Sequence, residues 1–133
     1  MSSIATILER IARTTGCTVL EPCGLPPVRA QDRLSQDLRD FYALCGGVRL
    51  FDGRLYPMRV VEPHSFARSN LEIVGDEFPD DITDSWYIVA RGGSAQLISI
   101  DCHPDRIGRC YDSFWDRHGV AGSCPIVALS FTE

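Results

Sequence analysis

Long hydrophobic runs are missing from this 133-residue sequence. The longest apolar stretches, WYIVA at 86 to 90 and PIVAL at 125 to 129, fall far short of the ~20 residues that a membrane-spanning helix needs, so no membrane association is expected. A secretory leader is missing too: MSSIATILERIARTTG carries Glu9 and two arginines in a 3.6-residue pattern instead of a basic start, an apolar run and a cleavage site. The expected location is therefore cytoplasmic, where thiols stay reduced. The six cysteines, Cys17, Cys23, Cys45, Cys102, Cys110 and Cys124, nowhere show Cys-x-x-Cys spacing, and most read as small core residues. Positive charge is scarce: 18 acidic residues against 13 basic ones leave −5, which repels a phosphate backbone and argues against nucleic acid as a partner. Lysine is absent altogether. Genome composition produces that bias as readily as recognition does, so it carries no functional reading.

The signatures of common chemistries are also lacking. There is no Gly-x-x-x-x-Gly-Lys phosphate loop, no Gly-x-Gly-x-x-Gly dinucleotide turn and no Gly-x-Ser-x-Gly elbow. Cys102 beside His103 is the one tempting nucleophile–base neighbour pair, but neighbours in a strand point to opposite faces, and the following Pro104 leads into a turn. Cys102, His103, Cys110, His118 and Cys124 would make a zinc site only if the sheet gathered them; buried cysteines and surface histidines explain the same residues. No enzymatic activity, metal or cofactor is expected.

What is present is a chain of one-domain length, with 44% hydrophobic residues, enough for one core. Ile4, Ile7, Leu8, Ile11 and Ala12 predict a helix from about Ser3 to Thr15, ended by Gly16. Pro22, Gly24, Pro26 and Pro27 make residues 17 to 34 an extended, solvent-facing connection. Ser35 caps a second helix that has Asp37 in its first turn; Leu34, Leu38, Phe41, Tyr42 and Cys45 form its apolar stripe, and Gly46 and Gly47 stop it. VRLF and LYPMRVV around Asp52-Gly53 predict a tight β-hairpin. After Pro63, residues Phe66, Leu71, Ile73 and Val74 are expected to line a short helix ending at Gly75. WYIVA and QLISID, joined through residues 91 to 94, then IGRCYDSF and PIVAL, read as an antiparallel sheet. The fold class is α+β, with N-terminal helices packed on a mainly antiparallel sheet.

Residues 76 to 84 place five carboxylates, Asp76, Glu77, Asp80, Asp81 and Asp84, in nine positions around Pro79. The order of a calcium loop is absent. Such a run is either a solvated loop or an acidic patch that steers a basic protein surface into contact.

LSQDLRDFYALCGGVRLFDG, residues 34 to 53, resembles the SUKH superfamily, bacterial immunity proteins related to a yeast cell-wall-synthesis regulator. The family pattern is Leu-Pro-x-x-Leu-Arg-x-Phe, a helix stop resembling Asn-Gly-Gly, then a strand; here Ser35 stands at the proline and Cys45 at the asparagine. WYIVARGGSAQLISID resembles the family's central hairpin with its closing Asp101, IGRCYDSF its next strand and PIVALSFTE its last. One departure stands out: the family commonly continues into a C-terminal helix, whereas Ser130-Phe-Thr-Glu133 begins a capping box with no helix after it. The resemblance implies a single SUKH-like domain over residues 1 to 133 that binds, without catalysis, a cognate protein toxin of nuclease or deaminase type. A basic toxin cleft would suit the 76 to 84 cluster as the partner-binding site. The alternative is a scaffold or regulatory module of the same fold with other protein partners.

Overall fold

The computed structural model describes residues 4–51, 57–75, 81–92, 96–113 and 126–131. Two helices open the chain, α1 (Ile4–Arg13) and α2 (Gln36–Leu44), with the two-residue strand β1 (Thr18–Val19) between them. The strands β2 (Val48–Leu50) and β3 (Met58–Val60) follow, then the short helix α3 (Ser69–Ile73). The chain finishes with β4 (Trp86–Gly92), β5 (Leu97–Asp101), β6 (Cys110–Asp112) and β7 (Ile126–Ala128). Among the described residues the seven strands form one sheet in chain order, antiparallel throughout. The α+β architecture expected from the sequence is the one observed.

Helix α1 turns Ile4, Leu8 and Ile11 toward the core and gives way to Gly16, whose φ of 84° suits a helix exit. Helix α2 begins after Ser35 in an extended conformation, as expected, although the Ser35 hydroxyl bonds the Asp37 carboxylate instead of a backbone N–H. Leu38, Phe41, Tyr42 and Cys45 are all buried. They meet Val48, Val61, Phe66, Tyr87, Val89 and Ile100 in the main core, and the Tyr42 hydroxyl donates to the Val61 carbonyl at 2.6 Å. The two glycines after α2 are needed for different reasons. A Cβ at Gly46 would lie 2.2 Å from the Glu21 carbonyl oxygen, while Gly47 adopts φ 124°. Their backbones exchange hydrogen bonds with Leu20 on both sides, which fastens β1 against β2.

Three local expectations change. Residues 17 to 34 are not wholly solvent-facing: Thr18 and Val19 pair with Arg49 and Val48, and Pro26, Asp32 and Leu34 are buried. The β2–β3 hairpin forms with Val48 opposite Val60, but its last pair is Leu50–Met58, so the connection spans residues 51 to 57 and is wider than a two-residue turn; Asp52 and Gly53 lie outside the described residues. Finally, the segment after Pro63 splits into a 3-10 turn (Pro63–Ser65) and α3, and α3 is inverted. Phe66 is buried as expected and Ile73 is half-buried, yet α3 buries Ser69 and Asn70 and leaves Leu71 outside, as it does Val74 just beyond its end.

The inversion follows from where α3 sits. Ile100 and Cys102 face the core beneath α1 and α2, so by the pleat Ser99 and Asp101 face the other side of the sheet. Ser69 reaches Ser99 with 2.8 Å between hydroxyl oxygens, and Ser99 donates onward to Ser113 at 2.7 Å. Helix α3 therefore lies on the second face, anchored by buried hydroxyls. The same face carries Trp86 stacked on Tyr111, with ring centroids 4.0 Å apart.

Candidate functional site

The acidic segment enters the described structure at Asp81; Asp76, Glu77 and Asp80 lie outside the described residues. Asp81 is exposed and caps the 3-10 turn Ile82–Ser85, its carboxylate accepting the Ile82 N–H and the Thr83 hydroxyl, each at 2.9 Å. Asp84 turns inward. Its carboxylate accepts from Arg68 at 2.6 Å and from Arg29 at 3.2 Å, and its side chain is 18% exposed.

Beneath this turn opens a cleft of about 460 Å³ whose walls include Arg29, Asp32, Asp81, Asp84, His103 and Arg106. Its charges are arranged in pairs. The Arg29 guanidinium bonds Asp32 at 2.8 Å and also the Asp84 backbone carbonyl at 3.0 Å. The Tyr87 hydroxyl donates to Asp32 at 2.7 Å and accepts the Arg29 N–H at 3.0 Å. Burial, with the Asp32 carboxylate adding to it, pushes the Tyr87 hydroxyl up to about 12. Behind the lining residues Ser85, His103 and Arg106, the fully buried Asp101 carboxylate accepts from the Ser85 hydroxyl at 2.6 Å, the His103 N–H at 3.0 Å and Arg106 at 2.8 Å. Each arginine meets a carboxylate, so the cleft is a near-neutral lattice joining four stretches of chain. It holds the acidic turn in place.

The geometry gives no support to nucleophilic chemistry at Cys102. Its thiol is buried, and desolvation together with Asp32 and Asp101 pushes it well above the ordinary thiol range, the reverse of an activated cysteine. The neighbouring His103 ring accepts the Asp105 N–H through Nδ1 at 3.1 Å. Cys45 and Cys110 are likewise buried, while Cys23 is exposed beside a groove along α2. Brief alkylation of the folded protein, read by peptide mass mapping, is expected to modify Cys23 and to spare Cys45, Cys102 and Cys110. Labelling of Cys102 as fast as Cys23 would contradict the burial described. Among the described residues no three His, Cys, Asp or Glu side chains gather as metal ligands, and no helix is long and apolar enough to cross a membrane. Of the zinc candidates, His118 and Cys124 lie outside the described residues.

Sequence reading missed the lattice. Arg29 and Asp84 are 55 positions apart, as are Asp32 and Tyr87, and nothing in local periodicity pairs them. The one available sign was Asp101 at the end of the QLISID strand, an acid after a run of buried residues.

No family model matches the chain, and no solved structure matches it. The chain is similar to the immunity protein YokJ of Bacillus subtilis (strain 168), at 40% identity over 131 residues that cover 98% of this chain and 79% of that protein.

Proposed function

The chain belongs to the family of the immunity protein YokJ, and from that premise we propose that it protects a cell by binding a cognate protein toxin directly and blocking it, without catalysis. The observation that carries this reading is the identity itself, which runs along nearly the whole chain. The residue pattern shared with the SUKH superfamily supports it and points to a toxin of nuclease or deaminase type met in the cytoplasm. The charge balance favours a basic partner: the chain is −5 overall, and five of its carboxylates lie within residues 76 to 84.

In this reading Asp76, Glu77, Asp80 and Asp81 supply the field that draws the toxin in. Asp84 belongs to the same segment and holds its base through Arg29 and Arg68. Charges that steer a partner act on the association rate and are screened by salt. Neutralising Asp76, Glu77, Asp80 and Asp81 to their amides should therefore slow association with the cognate toxin domain, which the SUKH resemblance implies is encoded beside this gene, by about tenfold at low salt, with the difference vanishing at about 1 M salt. Stopped-flow measurement of both proteins checks this. Equal association rates at low salt would remove the acidic segment from the encounter surface.

A further inference from the structure

Helix α3 turns Ser69 and Asn70 inward and Leu71 and Glu72 outward, with Ile73 half-buried and Val74 exposed just past its end. Leu71 and Val74 are each 46% exposed one turn apart, and Ile82, on the turn beside them, is 48% exposed. Their neighbours Ser69, Asn70 and Thr83 are buried. A short segment free to choose its face would bury leucine and valine and solvate serine and asparagine. Here the choice is fixed from below. Ser69 is tied to Ser99, the Asn70 amide donates to Thr83 at 3.0 Å and so binds α3 to the 3-10 turn, and Glu72 takes Arg91 at 2.7 Å. The outward side chains are thus carried on a base that does not have to reorganise when a partner arrives, which lowers the ordering cost of binding.

We propose that Leu71, Val74 and Ile82 form the apolar centre of the toxin-docking surface, facing a partner patch of apolar side chains ringed by arginine or lysine. This rests on the immunity reading above and names the surface it would use. The chemistry of the occupant follows from the flank: exposed Asp81 immediately precedes Ile82, and the whole chain is acidic. An apolar centre with a charged rim is the usual anatomy of a specific interface; the centre carries most of the affinity and the rim the approach. A second copy of the chain fits this surface poorly, because a two-fold contact would set acidic flank against acidic flank.

The test compares the wild-type chain with the triple variant Leu71→Ser, Val74→Ser, Ile82→Ser, using the proposed cognate toxin domain as the probe. The triple variant should dissociate about a hundredfold faster, with an unchanged salt dependence of association and a thermal midpoint no lower than the wild type. Should the triple variant fail to fold, Val74→Arg alone serves, expected to weaken binding about tenfold by setting charge against a basic partner. Unaltered dissociation in the folded variant overturns the docking surface and leaves the family reading standing. A wild-type chain that does not bind the toxin overturns both. A wild-type dimer that the triple variant converts to monomer, with toxin affinity intact, gives the surface to a second copy and overturns the proposal as well.

Discussion

Replacing Asp101 with alanine should cost the folded state about 3 kcal/mol, the largest loss expected from any single polar side chain in the described structure. The carboxylate is fully buried at the end of β5 and accepts three hydrogen bonds, from the Ser85 hydroxyl, the His103 N–H and Arg106. Alanine leaves the first two donors without their acceptor in a buried setting. Arg106 counts for less, because its side chain is 26% exposed and its charge can turn to water. The backbone around Asp101 adds to the effect: its N–H donates to the Arg109 carbonyl, its own carbonyl accepts from Gly108, and Cys102 N–H donates to the Ser85 carbonyl. Losing the carboxylate therefore loosens the 103–109 turn and the entry to β4 together. A fall in thermal midpoint of about 10 °C is expected. Asp101→Asn should lose less, since an amide oxygen still accepts from one or two of the donors. Equilibrium denaturation reads both variants; a loss below about 1 kcal/mol for alanine would mean that water replaces the lattice at little cost.

Asp84→Ala should lower stability by about 2 kcal/mol and leave the toxin association rate unchanged. Asp84 binds Arg68 and Arg29 in one carboxylate, and Arg68, at 10% side-chain exposure, has little access to solvent once that partner is gone. Arg29 keeps Asp32. The variant therefore separates the two roles proposed for the acidic segment, support through Asp84 and attraction of the toxin. Stability falling while association holds is the expected pair of results. A drop in association matching that of the four-amide variant would mean that Asp84 faces the toxin.

The parts of the fold written in local periodicity could be read from the sequence. The stripe from Leu34 to Cys45 and the pair of glycines after it located α2 and its stop, and the runs WYIVA and QLISID located β4 and β5, because a 3.6-residue or two-residue repeat reports burial on one face. Strand β1 was not legible: Thr18 and Val19 are a strand only because Arg49 and Val48 lie opposite them. Nor was the facing of α3. Leu71, Ile73 and Val74 look like core positions until Ser99, some thirty residues away, supplies the hydroxyl that draws Ser69 inward. The candidate site divides the same way. The carboxylates of 76 to 84 are conspicuous as composition, whereas the arginines that engage Asp84 come from positions 29 and 68, and the exposed apolar trio becomes visible only once the helix is known to be inverted.

The proposed immunity requires a stoichiometric complex between this chain and a toxin. Expressing the proposed cognate toxin domain in a sensitive bacterial host, with and without this chain, scoring growth and weighing the purified pair by native mass spectrometry tests this. Restored growth and a one-to-one complex that survives purification are expected. Cells that die despite abundant folded protein, or cells that survive with no complex formed, would contradict the proposal.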